Sequence, residues 1–217
     1  MDLPWHGSAK NYPVQDFDET CAYVAKQIQS AVGNQPYFLI GYSLGGRIAL
    51  YYALYSQQEK YNLQGLIIEG GNLGLINETE KEVRWKNDVF WAQRFSHEKA
   101  ESVLNDWYQQ AVFAHLTEGQ RKALIEKRQT NCGDNIAQML LATSLAKQLD
   151  LRPYVKNSPY PIYYFCGERD HKFKQMALDN QLNLSVIPNA GHNAHQENPM
   201  VFAAQLNALL RDKFIAF

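Results

Sequence analysis

The order of apolar and polar positions divides the chain into three stretches. Near the start, Cys21, Val24, Ala25, Ile28 and Val32 recur at helical spacing behind Asp16 and Glu19, which stand three apart as in a capping box, and Gly33 supplies a stop. Tyr37-Phe38-Leu39-Ile40 is a short unbroken apolar run, the pattern of a strand buried on both faces of a parallel sheet, and Leu44 to Tyr55 returns to a helical period. Leu66-Ile67-Ile68-Glu69 reads as the next strand. From Gly74 to about Asn157 the chain carries charges and helical periodicity without a strand run, which predicts helices near 78–95, 97–109, 118–129 and 133–149. After Pro159-Tyr160-Pro161, the runs Ile162–Cys166 and Leu184–Ile187 restore the strand pattern, with a helix between them and a last helix from about Pro199 to Leu210. Strands alternating with helices at both ends predict an α/β fold with a mostly parallel sheet. Its core is formed by residues 1–73 and 158–217, interrupted by a helical lid over 74–157.

Of the 217 residues 46% are hydrophobic, enough for a core without disulfide or metal staples. The 21 basic against 22 acidic side chains leave a net charge of −1 with no basic face, which argues against a nucleic-acid partner. The longest apolar stretch, Tyr37 to Tyr55, is broken by Ser43, Gly45, Gly46 and Arg47 and makes a poor membrane span. Met1-Asp2-Leu3-Pro4 lacks the basic start of a signal peptide, so a cytoplasmic location is expected. Cys21, Cys132 and Cys166 are odd in number and far apart, which fits neither a disulfide framework nor a metal knuckle; no metal or organic cofactor is expected. Monomer and homo-oligomer both stay open.

Chemistry concentrates at Gly41-Tyr42-Ser43-Leu44-Gly45, a G-x-S-x-G motif lying directly between a buried-type strand and a helix, the context of a nucleophile elbow. The turn is expected to be too tight for a Cβ on either side of the serine. A serine hydroxyl needs a histidine to share its proton and an acid to orient that histidine. In the chain order of such folds, Asp170 follows one strand and His192 follows the next; Glu168 is a competing acid and His195 a competing base. His6, His97, His115 and His171 read as isolated surface histidines. The lid carries Arg84, Arg94, Arg121 and Arg128 with Trp85, Trp91 and Trp107, and Arg47 follows the elbow. Guanidinium forks bind carboxylates bidentately, so several aimed at one pocket would suit a small polycarboxylate, whereas most helix arginines are simply solvated.

Four strings, Gly41-Tyr42-Ser43-Leu44-Gly45-Gly46-Arg47, Glu69-Gly70-Gly71-Asn72-Leu73-Gly74-Leu75, Asp106-Trp107-Tyr108-Gln109-Gln110 and Ala190-Gly191-His192-Asn193-Ala194-His195, together resemble the 2-succinyl-6-hydroxy-2,4-cyclohexadiene-1-carboxylate synthases, α/β-hydrolase-fold enzymes of menaquinone (vitamin K2) biosynthesis. The resemblance implies a carbon-oxygen lyase that eliminates pyruvate, with Ser43 as base, His192 raising its basicity and Asp170 orienting His192. It also implies substrate contacts from Arg47, Arg84 and Arg128 and pocket positions for Tyr42 and Trp107, leaving Arg94 and Arg121 without a role. Members of the fold begin with strands that end in a His-Gly-aromatic loop supplying half of the oxyanion hole. Here Asp2-Leu3-Pro4-Trp5-His6-Gly7 resembles a later D-L-P-G-H-G loop with Trp5 in place of its first glycine, so Leu44 N–H is the one usual oxyanion donor in the sequence. The expectation is a reading frame that starts upstream of Met1, and an apolar edge at the Tyr37–Gly41 strand that makes this chain poorly soluble alone. A small carboxylester or thioester hydrolase, and a non-catalytic remnant that binds without turnover, are the competing readings.

Overall fold

A computed structural model describes residues 1–214, with side chains to residue 211. Asp16 accepts the Glu19 N–H and starts helix α1 (Phe17–Val32), which Gly33 ends at φ 56°. Strand β1 (Tyr37–Tyr42) and helix α2 (Leu44–Leu54) follow, with Ile48, Leu50 and Tyr52 buried because α2 is enclosed between the sheet and α1. Strand β2 (Leu63–Glu69) begins three residues before the predicted start: Gln64 and Gly65 interrupt the apolar run, yet the backbone already pairs at Tyr37↔Leu63.

Four longer helices come between β2 and β3: α3 (Glu78–His97), α4 (Ala100–Trp107), α5 (Glu118–Arg128) and α6 (Gly133–Ala142), followed by the short α7 (Arg152–Lys156). Helix α5 opens on a complete capping box between Thr117 and Gln120. Helix α6 ends seven residues before the expected 149. The Thr143 hydroxyl turns back to Met139 O, and Ser144 Oγ donates to Asp88 Oδ2 while accepting the Ala146 N–H, so the chain leaves the helix to pack on α3. Helices α3–α6 enclose their own apolar cluster, which includes Trp91, Phe95, Val103, Leu104, Tyr108 and Leu124.

Strand β3 (Ile162–Gly167), helix α8 (His171–Asp179), strand β4 (Asn183–Ile187), the short α9 (Ala194–Glu197) and α10 (Pro199–Phe214) complete the chain. The sheet is entirely parallel in the order β1-β2-β3-β4, so the C-terminal ends of all four strands lie on one side of the molecule. One face packs on α1 and α2, and the other buries Ile67, Phe165 and Ile187 against Phe202 of α10. Trp5 stands at φ 65°, a backbone conformation that suits glycine, and is held there by its indole N–H bond to Val14 O and by packing against the core. Among the described residues no helix is long and apolar enough to cross a membrane.

Candidate active site

Ser43 sits between β1 and α2 at φ 49°, ψ −109°, and its N–H donates to Glu69 O at 2.7 Å. This turn is possible because Gly41 carries no side chain: a Cβ there would lie 2.4 Å from Gly45 O. The expectation of a glycine requirement on both sides of the serine needs correction. A Cβ on Gly45 would meet nothing within 4 Å, and the second crowded position is Gly46, where one would lie 3.0 Å from Gly41 O and 3.2 Å from Gly71 Cα.

Asp170 follows β3 and caps α8, and His192 follows β4; both are buried. Asp170 Oδ2 lies 2.7 Å from His192 Nδ1, and His192 Nε2 lies 3.1 Å from Ser43 Oγ. A carboxylate can only accept, so Nδ1 carries the hydrogen and Nε2 is left to accept from the serine hydroxyl. The imidazole stacks on Phe173 with ring centres 4.8 Å apart and has Tyr42 on another side at 5.4 Å. The competing groups are engaged elsewhere: exposed Glu168 accepts the Asn189 N–H, and His195 Nδ1 donates to Glu69 at 2.7 Å. His97 and His171 are exposed, whereas His115, expected as an isolated surface residue, is largely buried against Glu197 at 2.9 Å because the chain between α4 and α5 folds down onto the segment after β4.

Ser43, Trp107 and Phe113 form a wall common to two cavities. The smaller, about 170 Å³, is lined by Arg47, Arg84, Lys172 and His192. Arg47 is buried; it donates to Thr143 O, while its Nη1 has no hydrogen-bond partner among the described residues. Burial, and secondarily the nearby Arg84 charge, lowers its pKa to about 9, which leaves the guanidinium charged at neutral pH. Arg84 Nε donates to Asp88 at 2.8 Å. The larger cavity, about 560 Å³, includes Tyr42, Leu44, Leu39, Ile40 and Arg128 in its lining. Burial raises the Tyr42 phenol, so it remains a neutral hydroxyl. Arg128 donates to the Tyr108 hydroxyl and faces this second space, not the one that Arg47 and Arg84 share.

The model of the alpha/beta hydrolase fold family matches residues 1–199. A 2-succinyl-6-hydroxy-2,4-cyclohexadiene-1-carboxylate synthase of Yersinia pseudotuberculosis is 47% identical over 97% of this chain and 76% of its own length. A Haemophilus influenzae protein provisionally given the same name is 57% identical over 97% of this chain and 86% of its own length. The chain belongs to the 2-succinyl-6-hydroxy-2,4-cyclohexadiene-1-carboxylate synthase family. The solved structure of MenH from S. aureus is similar too, with a TM-score of 0.88 and 25% identity over 98% of this chain and 82% of that one.

Within this family member, His6, expected as an isolated surface histidine, is half-buried and lines the larger cavity, and Lys172, a cation that sequence reading did not assign, lines the smaller one. Lys172 lies two residues after Asp170, and that proximity was the available signal: a side chain on the first turn of the helix capped by Asp170 is carried to the same strand ends. Arg94 pairs with Glu98 and Asp106, and neither it nor Arg121 lines either cavity. Among the described residues no group of three or more His, Cys, Asp or Glu side chains is gathered to hold a metal ion.

Proposed function

We propose that this chain is the lyase that eliminates pyruvate from 2-succinyl-5-enolpyruvyl-6-hydroxy-3-cyclohexene-1-carboxylate, giving 2-succinyl-6-hydroxy-2,4-cyclohexadiene-1-carboxylate, with Ser43, His192 and Asp170 as its catalytic triad. The observation that carries this reading is buried Arg47, whose Nη1 has no partner among the described residues and which lines the same small cavity as Ser43 and His192, together with Arg84 and Lys172. A buried guanidinium hydrogen without an acceptor is costly, and a substrate carboxylate relieves that cost on binding. A pocket for neutral esters would have no use for it.

In the reaction His192 Nε2 takes the hydroxyl proton of Ser43, Asp170 stabilises the resulting imidazolium, and the serine oxygen removes a proton from ring carbon. The C–H electron pair moves into the ring, the carbon–oxygen bond to the enolpyruvyl group breaks, and the departing enolate takes up a proton to become pyruvate. No water is consumed and no covalent adduct forms on Ser43. Leu44 N–H, at the start of α2, is the donor available to charge developing on oxygen. Arg47, Arg84 and Lys172 hold the carboxylates of the substrate, and Tyr42, Trp107 and Arg128 line the adjoining space.

The test is pyruvate release followed by a coupled lactate dehydrogenase assay, with folding checked by near-UV circular dichroism. Release is expected from the wild-type chain, and Ser43→Ala should reduce it roughly 10²–10⁴-fold. A folded chain that releases no pyruvate overturns the reading. Ester cleavage through an acyl-Ser43 intermediate in place of it would favour the carboxylester hydrolase.

A further inference from the structure

Two carboxylates outside the Ser43–His192–Asp170 chain hold the loop that carries His192. Glu197 Oε2 accepts the Gly191 N–H at 2.8 Å and its Oε1 accepts the Asn193 N–H at 3.1 Å, so the residues on either side of His192 are tied to one side chain. Glu69 fixes the far end of the loop through the His195 N–H at 3.0 Å. Glu197 Oε1 also accepts from Nε2 of His115, at 2.9 Å, and His115 belongs to the insertion between β2 and β3, 82 residues away in sequence. Both side chains are largely shielded, at 5% exposure for Glu197 and 12% for His115. The ring lies directly against the loop backbone, since a Cβ at Gly191 would fall 2.2 Å from it.

The bond from Nδ1 to Asp170 is a single pivot for the His192 ring and does not by itself fix the backbone from which the ring projects. Among the described residues, Gly191 and Asn193 donate to no backbone carbonyl outside regular helices and strands, and Glu197 supplies their acceptor. We propose that Glu197 is a positioning residue for His192, and that His115 couples the helical insertion to it, so that seating of the insertion over the pocket sets the histidine ring against Ser43. The inference rests on the lyase reading only for the choice of reaction, because it concerns the alignment of His192 with Ser43.

The experiment compares Glu197→Gln, His115→Ala and the double variant for pyruvate release, and separately for labelling of Ser43 by a fluorophosphonate, which needs the aligned serine and histidine but no lyase substrate. In Glu197→Gln one amide oxygen replaces two carboxylate oxygens before three N–H donors. The expected result is a kcat lowered roughly 10²-fold with KM within about twofold, as for a misplaced catalytic group. His115→Ala leaves both backbone bonds and should lose roughly 2- to 10-fold, the worth of one hydrogen bond. The double variant should be no worse than Glu197→Gln alone, since the two share one path. Labelling should slow in the same order. If the wild type is labelled but releases no pyruvate, and Glu197→Gln is labelled slowly, the lyase reading fails and the positioning role stands. A folded Glu197→Gln that is labelled at the wild-type rate overturns the positioning role. Should Glu197→Gln lose its near-UV signal, His115→Ala decides: unchanged labelling overturns the proposal and slowed labelling supports it.

Discussion

Arg47 lies one turn past Ser43 on α2, and its burial with an unpaired Nη1 sets stability against binding. Arg47→Met removes a desolvated charge from the interior and leaves Thr143 O without its side-chain donor. The thermal midpoint of the variant should equal or exceed that of wild type, while KM for the polycarboxylate rises roughly 10- to 100-fold, the worth of a hydrogen bond to a charged group. A lower midpoint with KM unchanged would make Arg47 a structural residue instead. The two motif glycines separate in the same way. Gly41→Ala forces a Cβ to 2.4 Å from Gly45 O and should abolish soluble folded protein, whereas Gly45→Ala meets open space in a helix and should fold with a midpoint at or above wild type, as circular dichroism melting would report. The elbow was legible because strand, turn and helix each leave a local pattern. Which of the two later glycines is crowded was not, since that depends on how the turn brings Gly46 against Gly41 O and against Ile68 and Gly71 at the end of β2. Linear spacing likewise gave no means to separate Arg128 from Arg47 and Arg84, because the cavity each faces is a property of how the insertion folds back.

At the level of elements, strands and capped helices followed the hydrophobic period closely, and the misses cluster where long-range polar contacts override it. Helix α6 is the clearest instance: its apolar period continues toward Leu149, but Thr143 and Ser144 turn the chain so that Ser144 reaches Asp88 on α3, 56 residues earlier in sequence. Asp88 is 1% exposed and also accepts from Arg84 Nε, so it fastens α3 to the α6 exit and orients a pocket arginine at once. Asp88→Ala strands the buried Ser144 hydroxyl and should lower the unfolding free energy by about 1–3 kcal/mol. Urea denaturation measures this, and a change under about 0.5 kcal/mol would mean that the two helices are held by their apolar contacts alone.

For the molecule as a whole, the sheet accounts for both the convergence of the site and an exposed flank. All four strands point one way, so the residues after β1, β3 and β4 meet although the chain places Ser43 and His192 149 positions apart. The same arrangement leaves β1 at an edge, pairing with β2 alone among the described strands, with Ile40 48% exposed on the wall of the larger cavity. An edge strand bordered by apolar side chains is a template for pairing with another chain, and a charge placed there opposes it. Light scattering on a concentration series should therefore find self-association of this chain, and Ile40→Lys should reduce it without changing the near-UV spectrum. Scattering that is equal in the two proteins would move the contact away from β1. Thiol chemistry supplies an internal control on the folded state during that series. Cys21 and Cys166 are buried, and burial raises both thiols, Cys166 to about 12, so neither forms appreciable thiolate near pH 8. Exposed Cys132 alone should react with iodoacetamide. Modification of Cys166, which lies on β3 beside the Asp170 loop, would mean that the scattering species has opened its sheet and is not a native assembly formed through the β1 edge.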